Sequence, residues 1–184
     1  MDPSPQFLLL AATLLDSPLD GDTALLQLHS VFGPMLMSAL QLVDRREVVR
    51  VDLGGRGMYQ VSSSSGAPYT LYLDLPDLPK PPLGEPEDSP DEKEGEEVLS
   101  RQVAKDESKK AKTKADNDAR LRTNAARLRH MYCPCTGWAF NALDGRQIFC
   151  KHVLAVLLAH RLGRVVETRV GLQAAAGLLG IQVV

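Results

Sequence analysis

What is missing from these 184 residues narrows the possibilities first. There is no surplus of charge: 21 basic residues against 23 acidic ones give a formal net charge of -2. The chain therefore lacks the positive field with which autonomous nucleic-acid binders hold phosphates, and any contact with DNA is expected to be local or shared. No run approaches the ~18 apolar residues that a membrane span requires. The apolar run from Phe7 to Ala12 follows a segment, Met1 to Gln6, without a basic residue, whereas a secretory leader carries one. There are only three cysteines, an odd number and too few for a disulfide framework. These absences read as a soluble intracellular protein in a reducing compartment.

What is present divides into two folded parts and a stretch unlike either. With 44% apolar residues the chain has material for one core. Asp22 is placed to cap a helix from Thr23 to about Val31, and Gly33-Pro34 breaks it and starts a second helix through Val43. That second helix, with Met35, Leu36, Met37, Ala39, Leu40, Leu42 and Val43, leaves little polar face, so it belongs in a core or against a partner. Val49, Val51 and Leu53 alternate, Gly54-Gly55-Arg56-Gly57 turns, and Met58 to Val61 returns, which is a hairpin pattern. Tyr69, Leu71, Leu73 and Leu75 alternate again as a third strand. The glycine turn lacks the Lys-Ser/Thr ending of a phosphate loop and is rejected as one.

Residues 76–130 change character. From Asp77 to Glu97 nine acids and five prolines stand against Lys80 and Lys93, and from Val98 to His130 ten Lys or Arg stand against four acids. Such composition is expected to be a disordered insertion whose halves partly neutralise each other. Its basic half is a candidate nuclear-import signal or phosphate-contacting arm, with Ala119 to Arg129 able to form a short helix on contact.

The chemistry is concentrated in Cys133-Pro134-Cys135, fourteen residues, then Cys150-Lys151-His152. Two thiols two apart on extended backbone project to one side, and Pro134 fixes the dihedral between them. Cys150 and His152 cannot share a helix face, so Cys150 is expected to end a loop and His152 to sit in the first turn of a helix over Lys151 to Arg161 or Leu162. Three thiolates and one imidazole suit one tetrahedral zinc, and four protein ligands leave no position for a reactive water. The zinc is therefore expected to be structural, contributing several kcal/mol to folding. Trp138, Phe140, Leu143, Ile148 and Phe149 supply an apolar body around it, with a turn at Asp144-Gly145. His29, His130 and His160 read as surface or satisfied residues, His130 being near enough for a supporting or alternate role. Beyond the site, Val153 to Leu158 makes an apolar helix ended by Gly163, and Thr168 to Gly180 is expected to be a last helix weakened by Gly171 and Gly177.

Cys-x-Cys…Cys-x-His with an aromatic-rich middle, and Cys150-Lys151-His152-Val153-Leu154-Ala155 leading a helix, resembles the SWIM-type zinc finger. Val31-Phe32-Gly33, Ala39 to Arg45, Tyr59-Gln60-Val61 and Tyr69-Thr70 are similar, in order, to the SWIM-domain subunit of the Shu recombination complex, and the likeness covers about 23–75 and 131–180. The resemblance implies a nuclear protein in an obligate complex with a RecA-type recombinase paralogue. Together they would promote homologous recombination and DNA repair on single-stranded or branched DNA, without enzymatic activity, a small-molecule substrate or a membrane. It implies Cys133, Cys135, Cys150 and His152 as zinc ligands and a supporting role for Ala155. Taken with the apolar helices, it places the partner face at Leu36, Leu40, Val43, Ala155 and Leu158. The alternative is an autonomous nucleic-acid-binding zinc module that uses the basic half of the insertion. The expected fold is α+β: N-terminal helices and a small antiparallel sheet (1–75), the disordered insertion (76–130), and the zinc module with C-terminal helices (131–184), the first and last forming one unit.

Overall fold

The computed structural model describes residues 4–19, 21–52, 57–62, 66, 68–73, 75, 102–144 and 149–171, with side chains of 102–113 and 142–144 left aside. Helix α1 (Pro5–Asp16) opens with proline in its first turn, where the missing N–H costs nothing, and buries Leu8, Ala11, Ala12 and Leu15. Helix α2 (Gly21–Phe32) buries only Leu28 and Phe32. Asp22, expected as its cap, lies inside the first turn, where its charge still complements the helix dipole. Gly33, at φ 57° and ψ −146°, takes a conformation that side-chain-bearing residues avoid, and Pro34 then begins α3 (Pro34–Asp44).

Strands β1 (Val48–Asp52) and β2 (Gly57–Val61) form the expected antiparallel hairpin, with Val48 opposite Val61 and Val51 opposite Met58. The third strand, β3 (Tyr69–Leu71), is shorter than its alternating pattern suggested; Leu73 and Leu75 pack on the core without joining the ladder. The sheet is not purely antiparallel. A fourth strand, β4 (Val166–Arg169), pairs parallel with β1, so the order is β3-β2-β1-β4. Thr168 and Arg169, expected to start a helix, belong to this strand, and residues 172–180 of that expected helix lie outside the described residues.

The largest correction concerns the insertion. Residues 76–101 lie outside the described residues, but the rest is α4 (Gln102–Arg129), a 28-residue helix that packs along α1. Leu121, Asn124, Ala125 and Leu128 recur at i, i+3, i+4 and i+7, and Asn124 and Leu128 are fully buried. Arg120 clamps Asp16 of α1 through two hydrogen bonds of 2.8 and 2.7 Å, and Arg127 donates to the Leu75 carbonyl at 3.1 Å. The stretch from Arg120 to Leu128 is therefore packed into the folded unit.

After α5 (Thr136–Asp144), helix α6 (Lys151–Arg161) runs through the middle of the core, with every residue from His152 to Ala159 buried. It packs on α3 and against β1 and β2, and His160 shares a 2.8 Å hydrogen bond with the Tyr59 hydroxyl of β2. Its end is a Schellman cap: Gly163 at φ 62° donates to the His160 carbonyl and Arg164 to that of Ala159. The α+β class thus holds, with a mixed sheet. Among the described residues no helix is long and apolar enough to cross a membrane.

Candidate metal centre

Each ligand is held by a different local device. Leaving α4, the chain has no regular structure from Met131 to Pro134, and this stretch carries Cys133 and Cys135 into the interior, both buried. Cys135 then serves the start of α5: its carbonyl receives the Trp138 and Ala139 N–H groups, and the Trp138 N–H also lies 3.2 Å from its sulfur. Cys150 is the extended residue capping α6, and the Val153 N–H reaches its sulfur. Two of the three sulfurs thus sit at helix N-termini, where free N–H groups and the helix dipole favour negative charge.

His152 occupies the first turn of α6, as the two-residue spacing required. Its Nδ1 is 3.8 Å from the Cys133 sulfur and 3.9 Å from the Cys150 sulfur, and the four potential ligand atoms all lie within 4.8 Å of one another. Zinc–sulfur and zinc–nitrogen bonds near ~2.3 and ~2.0 Å imply tetrahedral edges of roughly 3.5–3.8 Å, so the set needs only a modest contraction about one ion. All four residues are buried. Nδ1 is the nitrogen facing the sulfurs, which leaves Nε2 to carry the ring proton; it has no hydrogen-bond partner among the described residues. Tyr69 packs its ring on the imidazole at 4.8 Å and keeps it oriented.

The electrostatics argue for a cation. The Cys133 thiol is pushed far above the ordinary range by its hydrogen bond to Cys150 and by burial, and burial raises Cys135 as well. Cys150 is pulled down, first by the hydrogen bond that Cys133 donates to it. On its own the cluster therefore supports one thiolate, and three require a divalent ion among them. Three soft sulfurs and one imidazole, all on buried residues, fit zinc, one ion with all four positions filled by protein and hence structural.

Around the site, Phe149 is fully buried and meets Phe32 edge-on at 5.4 Å, and Asn141 donates to the Phe149 carbonyl at 2.7 Å, fixing α5 to the approach to Cys150. Trp138 meets Tyr132 at 4.8 Å. Phe140, expected in the apolar body, is instead 72% exposed, while Leu143 and Ile148 have no described side chains. His130 is exposed and stands apart from the cluster. Tyr69 and Asn141 were not foreseen, because they reach the site through tertiary packing rather than through motif spacing. The expected partner face needs correction. Leu36, Val43, Ala155 and Leu158 are all buried to within 1% inside their own chain, so they form core between α3 and α6 and offer no surface; Leu40 is half-buried.

This buried Cys3His cluster between two helix starts is a zinc finger, and residues 116–161 match the SWIM zinc finger family, so the chain carries a SWIM domain that begins within α4. Over 62 residues the chain is 45% identical to zinc finger SWIM domain-containing protein 7 of Mus musculus, a stretch covering 33% of this chain and 41% of that protein. It is 24% identical over 163 residues to the protein of the same name from Danio rerio, covering 88% of this chain and 77% of the relative. The chain thus spans less than half of the mouse relative's length in that comparison. No solved structure matches the chain.

Proposed function

We propose that this chain is a non-enzymatic, zinc-stabilised adaptor that pairs with a RecA-type recombinase paralogue and supports homologous recombination and DNA repair in the nucleus, reaching single-stranded or branched DNA through that complex. The observation that carries the reading is the closed site. All four donor atoms belong to buried residues facing one another, so the ion has nothing left with which to polarise a substrate, and its work is to hold α4, α5 and α6 in register. Similarity to zinc finger SWIM domain-containing protein 7 along most of the chain, together with the Shu-subunit resemblance of Val31 to Gly33, Ala39 to Arg45 and the Cys-x-His helix, supplies the choice of partner class. Exposed apolar side chains such as Leu26, Met37 and Phe140 are consistent with a surface that another protein covers.

The test is co-expression with the recombinase paralogues of the source organism, followed by size-exclusion chromatography. A stoichiometric complex containing zinc is expected, and His152→Ala should abolish it along with the fold. A wild-type chain that is folded, zinc-loaded and indifferent to every paralogue refutes the reading. A fluorescent fusion excluded from the nucleus would remove the localisation.

A further inference from the structure

The metal centre is closed in its coordination but not sealed from solvent. A cavity of about 410 Å³ opens between α3, α5 and the start of α6, far more room than one ion takes and within the range of small-molecule sites. Cys135, Cys150 and His152 lie on its wall, and Cys133 does not. The exposures agree: 4%, 2% and 3% for the three on the wall against 0% for Cys133. The mouth passes Thr136, Gly137 and Phe140 of α5, all exposed. A Cβ at Gly137 would stand 3.9 Å from the Cys135 sulfur, an ordinary contact, so the missing side chain leaves that sulfur open toward the mouth. Lys151 is also on the wall and half-buried, and among the described residues it has no ion pair.

We infer that this cavity is a port through which a small, carboxylate-bearing thiol reaches the zinc and carries it into or out of the folded protein. The inference rests on the zinc site and not on the adaptor reading. What the cavity presents sets the class of ligand. Zinc held by three thiolates exchanges with another soft sulfur donor, and the volume suits a small molecule. Zinc with three thiolates carries a net negative charge that repels an incoming anion; Lys151 beside it offsets that charge and favours a thiol bearing carboxylates. In each exchange the incoming thiol gives up its proton and bonds zinc, and the displaced protein thiolate takes up a proton. Zinc stays divalent and no sulfur is oxidised. Cys135, beside Gly137 and the most exposed of the ligands, is displaced first, and Cys133, off the wall, last. Without such a port, four buried donors would release the ion only when the fold opens.

The test mixes full-length, zinc-loaded protein with excess chromogenic chelator and times zinc transfer with and without reduced glutathione. The rate should rise in proportion to glutathione and exceed, by at least about tenfold, the rate of global unfolding of the same protein obtained from urea jumps. Gly137→Leu, which puts a side chain over the Cys135 sulfur, should slow the glutathione-driven rate about tenfold or more, with zinc content and melting temperature as in wild type. Lys151→Glu should slow transfer to glutathione about 5- to 10-fold in low salt and change transfer to neutral mercaptoethanol by less than about twofold. A rate independent of glutathione and equal to that of unfolding overturns the port, because zinc then leaves only with the fold. So does a glutathione-driven rate that Gly137→Leu leaves unchanged. Equal losses with both thiols in Lys151→Glu overturn it too, and that variant decides the matter if Gly137→Leu fails to take up zinc. A cysteine-rich protein that strips wild type as fast as glutathione, at equal thiol concentration, overturns the small-ligand assignment. No recombinase paralogue enters the assay, so the adaptor reading stands or falls separately.

Discussion

Removing the zinc should melt this fold, and the size of the effect follows from the site. Cys133, Cys135, Cys150 and His152 are all buried and brought together from two segments; the unfolded chain has no such cluster, so metal binding is coupled to folding. Structural sites of this kind bind with roughly 10–16 kcal/mol, which corresponds to dissociation constants from about 50 nM to about 2 pM. At about 1 μM free zinc, preferential binding to the folded state then contributes about 2–8 kcal/mol, a large share of the roughly 5–15 kcal/mol by which domains are stable. For a chain of this length even the lower figure raises the melting temperature by roughly 4–8 °C. The assay is scanning calorimetry of wild type and Cys150→Ser in buffered zinc and in chelator. Wild type should show the zinc-dependent rise, and Cys150→Ser should melt low in both, since a hydroxyl cannot replace the thiolate. Identical melting of wild type with and without zinc, or an undiminished zinc response in Cys150→Ser, refutes the reasoning.

Leu128→Ala, which empties a fully buried site on α4, should cost about 2–5 kcal/mol in urea unfolding; a loss below about 0.5 kcal/mol would mean that α4 is not packed as described. Asp16→Asn breaks the two-bonded clamp with Arg120, whose side chains are 16% and 38% exposed. The same measurement should show a loss of about 1–2 kcal/mol, reduced from the usual value for a charged hydrogen bond by the partial exposure of Arg120. Tyr59 should make the fold sensitive to alkali. Burial pushes its hydroxyl above the ordinary phenol value, with Arg50 partly offsetting the rise. Its contribution is therefore complete below about pH 10, where the unfolded phenol titrates, and is lost as pH climbs toward the folded value. Urea midpoints of Tyr59→Phe should decline less steeply than those of wild type above that pH, and parallel declines would remove Tyr59 as the cause.

The site was more legible than the scaffold because its rules are local. Cys-x-Cys on extended chain and Cys-x-His across a helix start leave one arrangement that lets four donors converge, and α6 begins and ends where that arrangement and Gly163 put it. The α4 helix was hidden by an average. High charge across Val98 to His130 resembles disorder, yet Asp116 and Arg120, and Asp118 and Arg122, stand four apart in the order that supports a helix. The apolar stripe through Leu128 appears only when the period, not the mean, is read. Strand β4 was missed because Val166-Glu167-Thr168-Arg169 has little apolar signal of its own; an edge place beside β1 decides it. Core and interface share the same hydrophobicity, so Leu36, Val43, Ala155 and Leu158 read as a partner face in the sequence although α3 lies on α6 and buries them.

A closed zinc site deep in a core can still govern a surface far from the metal, because rigid elements carry position outward. The segment that holds Cys133 begins immediately after α4 ends, with only His130, Met131 and Tyr132 between Arg129 and the first ligand. One end of the described part of α4 is thus set by the ion, while Arg120 on Asp16 sets its middle against α1. Those two restraints bracket the stretch of α4 from Arg122 to Arg129, which buries Asn124, Ala125 and Leu128. Loss of the metal frees the first restraint, and the clamp of Arg120 on Asp16 cannot by itself hold α4 once the fold loses the zinc's contribution. A metal with no open coordination position therefore serves this chain by fixing the spacing of the helices around it.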